Sequence, residues 1–219
     1  MAIDQEQSAN TSLSNLGGRL PLLLPAAMSA LQLALYRNLF PAKKDEADKG
    51  GYVATTPDGA LIGPFNSYLF IPEIAQGYGA WIEAQHRYLP FQPEIREAVI
   101  LTIGAIWKAE FELYAHRARA RLIGISPVAI DRLICLQSSD ELSPDARVAR
   151  DFTYALVSDH EIEDGLYRAA KQTFGDEGLV ALVHLIGLYL SVSAVLKAFR
   201  IPSPDSSSSN VSLREKGRP

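Results

Sequence analysis

The sequence predicts an all-α protein. Apolar residues recur at helical spacing along most of the chain, and no segment alternates apolar and polar residues for long. Turn signals come roughly every 12 to 20 residues, which suits helices better than strands. Proline also stands repeatedly where a helix would begin, twice directly after a serine.

The first predicted helix is Ala26 to Leu39, after a Leu20–Leu35 run interrupted by Pro21 and Pro25. Residues 42–65, with Gly50-Gly51, Pro57 and Gly63-Pro64, read as a long polar loop. Pro72 opens a helix to about Tyr88, and Pro93 opens one over Glu94 to Trp107, with Val99, Ile100, Ile103 and Ile106 as its apolar face. Glu110 to Leu122 follows a break, and Gly124 terminates it. Ser126-Pro127 starts a short helix to Cys135, and Ser143-Pro144-Asp145 starts one to about Val157. Two more helices, Glu163 to Phe174 and Glu177 to Phe199, are separated by Gly175-Asp176. Three regions result: an arm over residues 1–18, a single helical domain over 19–202, and a Ser-rich disordered tail over 203–219.

Composition narrows the function. The 219 residues carry 21 Lys+Arg against 25 Asp+Glu, a formal net charge of −4, so the basic excess of a general nucleic-acid binder is missing. One cysteine leaves no intrachain disulfide, no CxxC pair and no multi-cysteine zinc site, and it fits a reducing, cytoplasmic setting. The Leu20–Leu35 run has Asp4 and Glu6 before it and only Arg19, which is not the basic start of a signal peptide. The apolar stretch Leu179 to Phe199 contains His184 and Lys197 and is expected to be a core helix, at a subunit interface or not, rather than a membrane span. Phosphate loops, dinucleotide glycine fingerprints, G-x-S-x-G and H-E-x-x-H are all missing from the chain.

The remaining chemistry gathers around His116. Glu112 stands four residues earlier, one turn away on the same helix face, and can hold the imidazole in one tautomer. The plain alternative is an exposed helical ion pair. A metal site would need a third ligand, so none is assigned. Glu97, beside Arg96, either serves its helix dipole or faces inward toward His116. Trp107, Tyr114, Glu110 and Arg96 are the candidate substrate-binding positions. His86 and His160 read as surface residues, His184 as a satisfied buried histidine, and Cys135 as inert packing. Gly104 weakens its helix unless something packs closely against it.

Two stretches, Pro93-Glu94-Ile95-Arg96-Glu97-Ala98-Val99-Ile100-Leu101 and Trp107-Lys108-Ala109-Glu110-Phe111-Glu112-Leu113-Tyr114-Ala115-His116, together resemble the carboxymuconolactone decarboxylase family, which has the alkylhydroperoxidase D-like fold. Gly63-Pro64-Phe65-Asn66, Gly124-Ile125-Ser126, and the segments from Leu182 to Tyr189 and from Ala198 to Pro202 extend the resemblance over residues 58–202. It implies an all-α bundle of about seven to eight helices that assembles as a homo-oligomer (dimer, trimer or hexamer). The peroxidatic branch of that fold needs a CxxC pair, and its two positions hold Ala109 and Glu112 here. The resemblance therefore implies the other branch, cofactor-independent acid–base chemistry by Glu97, Glu112 and His116 on a small organic acid, lactone or polyketide-like molecule. Decarboxylation, isomerisation or cyclisation would each fit, and a non-catalytic oligomeric binding protein is the reading from another class. Relatives often carry histidine where this chain has Ile106, an aromatic residue at Leu113 and asparagine at Lys197. No nucleic acid, membrane or cofactor is expected as a partner.

Overall fold

A computed structural model describes residues 16–205. Eight α-helices stand among them: α1 Ala30–Gly50, α2 Pro64–Tyr68, α3 Pro72–Tyr88, α4 Pro93–Trp107, α5 Glu110–Leu122, α6 Pro127–Ile134, α7 Pro144–Tyr154 and α8 Asp164–Ala198. Proline begins five of them. Its fixed φ suits a first turn, and its missing N–H is one that a helix start leaves unpaired in any case. Ser126 and Ser143 cap α6 and α7 by accepting from the Ala129 and Ala146 amides. The only strand-like pairing among the described residues is an isolated bridge between Thr55 and Leu61.

α1 departs from expectation at both ends. It starts at a Ser29–Gln32 capping box, after a 3₁₀ turn over Pro25–Ala27, and then runs through Pro41 to Gly50. The segment beyond Pro41 is polar, but it is built of helix-forming residues laced by Lys43–Glu46, Lys44–Asp48 and Asp45–Lys49 ion pairs. It also buries Ala47 and Gly50. Those gains outweigh the one hydrogen bond that a helical proline removes. α2 also falls where a loop was expected. At the other end of the chain, α7 continues into a π turn over Ala155–Asp159. α8 contains both of the last expected helices, with non-helical backbone at Gly175 between them.

α4 is the centre of the molecule and packs on α5, α6, α7 and α8. Ile100, Leu101, Ile103, Leu182, Leu185 and Ile186 are fully buried at these contacts. Each removes enough apolar surface from water to contribute about 1.5–3 kcal/mol. A second cluster, including Tyr52, Ile62, Phe111 and Leu196, lies under the 52–63 loop. Gly63 is indispensable to that loop. Its φ is +65°, and a Cβ there would sit 2.4 Å from the Phe111 ring. Asn66, buried at the start of the same region, binds the Leu23 amide and the Pro21 carbonyl and fixes the chain ahead of α1.

The packed body is slightly longer than expected. Most of the proposed arm and tail lies outside the described residues, but Leu16 packs on the second cluster, the Arg19 amide donates to the Phe199 carbonyl, and Ser203 is buried. α8 is long and apolar enough, by length and composition alone, to cross a membrane. In this fold one face of it fills the core.

Candidate functional site

Lys108 makes the site possible. It ends α4 in the left-handed conformation, and the following Ala109 amide bonds back to the Gly104 carbonyl. The chain therefore reverses, and α5 returns along α4. Glu97, about three turns before the reversal, meets His116, about two turns after it. His116 Nδ1 lies 2.8 Å from Glu97 Oε2 and donates to it. The carboxylate thus fixes the tautomer and leaves Nε2 as the ring nitrogen without a protein partner. The Tyr189 ring from α8 stands edge-on to the imidazole, 5.2 Å between centroids.

The partnership corrects the sequence reading: Glu97, not Glu112, holds His116. Glu97 is also tied to cations from outside. Its Oε1 is 3.5 Å from Arg119 Nε, Arg119 Nη1 is 2.8 Å from Glu46 Oε1, and Glu46 Oε2 is 2.7 Å from Lys43 Nζ. Burial works to raise the Glu46 carboxyl, but Lys43 and Arg119 outweigh it and hold the group below its usual range. The run of alternating charge reaches Glu97 through Arg119 and ends at the imidazole.

Glu112 is a different carboxyl. It is 3% exposed, accepts from the Ser193 hydroxyl at Oε2 (3.1 Å), and has no partner at Oε1. Burial raises its pKa well above the ordinary 4.5, the Ser193 bond opposes that, and the Glu97 charge adds to it. Burial therefore favours the protonated, neutral form of Glu112. Gly104 makes its place: a Cβ there would lie 3.1 Å from Leu113 Cδ2 and 3.5 Å from Glu112 Oε1. The close packing anticipated around Gly104 is present.

His116 and Glu112 share a cavity of about 70 Å³, walled by Tyr68, Phe111, Tyr189 and Val192 and reached by Lys43, Glu46 and His86. Burial, then the Arg96 charge, pushes His86 below its usual pKa, so it faces the cavity neutral. Among the expected binding residues, only Arg96 acts near this space, through its charge on His86 and Tyr189. Trp107 packs between the two apolar clusters. Tyr114 accepts from the Val53 amide, and Glu110 is exposed. None of these three lines the cavity.

Ile106 and Leu113 pack on the main core, and Lys197 donates to the Lys108 carbonyl, so the positions that depart from relatives also lie outside its lining. His184 is exposed on α8 against the edge of Trp81 rather than buried. Cys135 is exposed at the end of α6, away from the cavity. Among the described residues, no three His, Cys, Asp or Glu side chains are grouped to hold a metal.

Sequence reasoning missed Arg119, Tyr189, Ser193, Tyr68 and Lys43. A signal existed for the first three. Arg119 follows His116 by one helical turn, and Tyr189 and Ser193 stand one turn apart on a single face of α8.

No protein-family model and no curated protein matches the chain. Solved structures do. An uncharacterised peroxidase-related protein from Ralstonia eutropha JMP134 with an alkylhydroperoxidase AhpD core superposes with a TM-score of 0.67 at 16% identity, covering 86% of this chain and 93% of that one. A peroxidase-related protein from Silicibacter sp. TM1040 gives 0.64 at 16% identity, with 87% and 94% covered. A variant of the debrominase Bmp8, in complex with 2,3,4-tribromopyrrole, gives 0.62 at 12% identity, with 80% and 90% covered. The fold is that of the alkylhydroperoxidase D-like proteins, a fold that includes enzymes.

Proposed function

We propose that this protein is a cofactor-independent acid–base enzyme acting on a small unsaturated organic acid or lactone, by decarboxylation or a related lyase or isomerase step. The observation that carries the reading is the His116–Glu97 pair at 2.8 Å, with His116 sharing one small cavity with a buried Glu112 whose pKa is raised by burial. Two carboxyl groups in different environments, one paired with an imidazole and one buried against a neutral hydroxyl, suit separate acid and base roles.

In a decarboxylation, the bond between the carboxylate carbon and the conjugated system breaks. Carbon dioxide leaves, and the electron pair passes into a dienolate. The imidazolium of His116 delivers its Nε2 proton to carbon, with Glu97 stabilising the charged ring beforehand, and solvent restores that proton. The Glu112 acid, anchored through Oε2 by Ser193, supplies an O–H for the developing oxyanion. In an isomerisation the same groups remove one proton and return it elsewhere.

Thiol-dependent peroxidase chemistry is disfavoured, because Ala109 and Glu112 stand at the two cysteine positions and Cys135 is remote. A cytoplasmic setting and assembly as a homo-oligomer belong to the same reading. Val180 and Val183, exposed on α8, support the assembly.

The test is carbon dioxide release or proton exchange across a panel of unsaturated lactone carboxylates, with the protein and its His116→Gln variant. The variant should keep its helical circular dichroism and lose activity by at least about 10²-fold. Turnover that survives in the variant removes His116 from the mechanism.

A further inference from the structure

The cavity at His116 is too small for a whole substrate. About 70 Å³ admits a few heavy atoms, whereas ligand sites usually begin near roughly 300 Å³. A groove of about 440 Å³ lies against it, between α2, α3 and the end of α8. Pro64, Tyr68 and Val192 line both spaces, so the two are separated by one layer of side chains.

Their chemistry is opposite. The cavity presents Lys43, Glu46, His86, Glu112 and His116. The groove presents Leu20, Ile74, Val195, Phe199 and similar apolar side chains, and no charged residue lines it. The groove's own hydroxyls are satisfied internally: Tyr78 Oη pairs with Ser191 Oγ at 2.8 Å, and Ser191 Oγ lies 2.6 Å from the Leu188 carbonyl. At the rim, Ile71 and Ile74 are 53% and 67% exposed. A groove without charge, one side chain away from a polar centre and edged by exposed isoleucines, fits a ligand that is apolar along most of its length.

We infer that the groove is a second subsite of the same centre, and that the substrate is an amphipathic organic acid. Its small polar head enters the His116 cavity past Tyr68, and its apolar body, the size of a medium-length acyl chain, lies in the groove. This inference rests on the acid–base reading above and names its substrate class.

Calorimetric titration of the full-length protein with butanoate and decanoate tests it. Decanoate should bind at least about tenfold tighter than butanoate, because its extra methylenes reach the groove. Val195→Trp, which fills the groove, and Ile74→Glu, an exposed substitution that the fold tolerates, should each bring decanoate down toward butanoate while leaving butanoate within about twofold. His116→Gln should retain decanoate binding. Equal binding of the two acids, undetectable binding of decanoate, or decanoate binding unaffected by both groove variants overturns the inference. A concentration-dependent oligomer that Ile74→Glu dissociates, without decanoate binding, also overturns it and gives the groove to a second copy of the chain. Loss of the catalytic reading would show separately, as turnover that survives in His116→Gln while the binding pattern stands.

Discussion

Glu97 and Glu112 come from consecutive helices, are both nearly buried, and end within electrostatic reach of each other, yet they are opposite groups. Glu97 sits where α4 and α5 meet the cationic end of α1's charge run, and it receives His116 and Arg119. Glu112 sits one layer deeper, against Gly104 and α8, and its only donor is the neutral Ser193 hydroxyl. Burial pushes Glu112 toward the neutral acid. What separates them is the supply of cations, which stops at Glu97. The same residue type is therefore given cationic partners or only a neutral hydroxyl, depending on which side chains the neighbouring helices bring to it.

The largest effect is expected from removing the charged member of the pair. Glu97→Gln keeps the side chain's size and its ability to accept from Nδ1, but it deprives the imidazolium of its counter-charge. Turnover should fall by roughly 10²–10⁴-fold. Glu97 acts through His116, so the pH profile of kcat/KM should change along with the rate. A loss of activity with an unmoved profile would make Glu97 a packing residue and break the contrast with Glu112.

Much of this was legible in sequence because the signals are local. Proline located the starts of α3, α4, α6 and α7, and the break expected between Trp107 and Glu110 falls where α4 turns back into α5. Local signals also misled. The polar stretch from residue 42 read as a loop, although ion pairs and the buried Ala47 carry α1 through it to Gly50. Glu112, one turn from His116, read as its partner, although the helix rotates Glu112 inward toward Ser193. The walls of the site were not legible. Tyr68, Tyr189 and Lys43 come from elements far apart in the chain, and only the packing of α1, α2 and α8 on α5 brings them together. His184 shows the same limit in reverse: an apolar neighbourhood in sequence does not say which face of a long helix is covered.

The second effect is a stability change that depends on pH. Glu112 is raised in the folded protein from an ordinary value near 4.5. Below that value both states carry the proton, and the group has no influence on the balance. As pH rises, the unfolded chain releases the proton while the folded one keeps it, so folding loses ground until pH passes the folded pKa. Glu112→Gln removes this loss. Its stability against urea should match the parent near about pH 4 and exceed it increasingly as pH rises above that, by at most about 1.4 kcal/mol per pH unit. A constant difference across the range would mean that Glu112 is ionised in the folded state, and the two carboxyls would no longer be opposites.

The smallest effect is expected at Gly104, which gives Glu112 its room. Alanine there gains about 0.8–1 kcal/mol of helix preference over glycine. The new methyl would lie 3.1 Å from Leu113 Cδ2, which must move, but 3.5 Å from Glu112 Oε1, an ordinary contact. Leu113 is only partly buried, so it can yield by a few tenths of an ångström at a cost comparable to the gain. Gly104→Ala should therefore change stability by less than about 1 kcal/mol and activity by less than about twofold. If activity falls sharply while thermal unfolding is unchanged, the methyl has displaced Glu112 rather than Leu113. The position of that neutral acid, and not only its protonation, would then be what the close approach of α4 to α5 preserves.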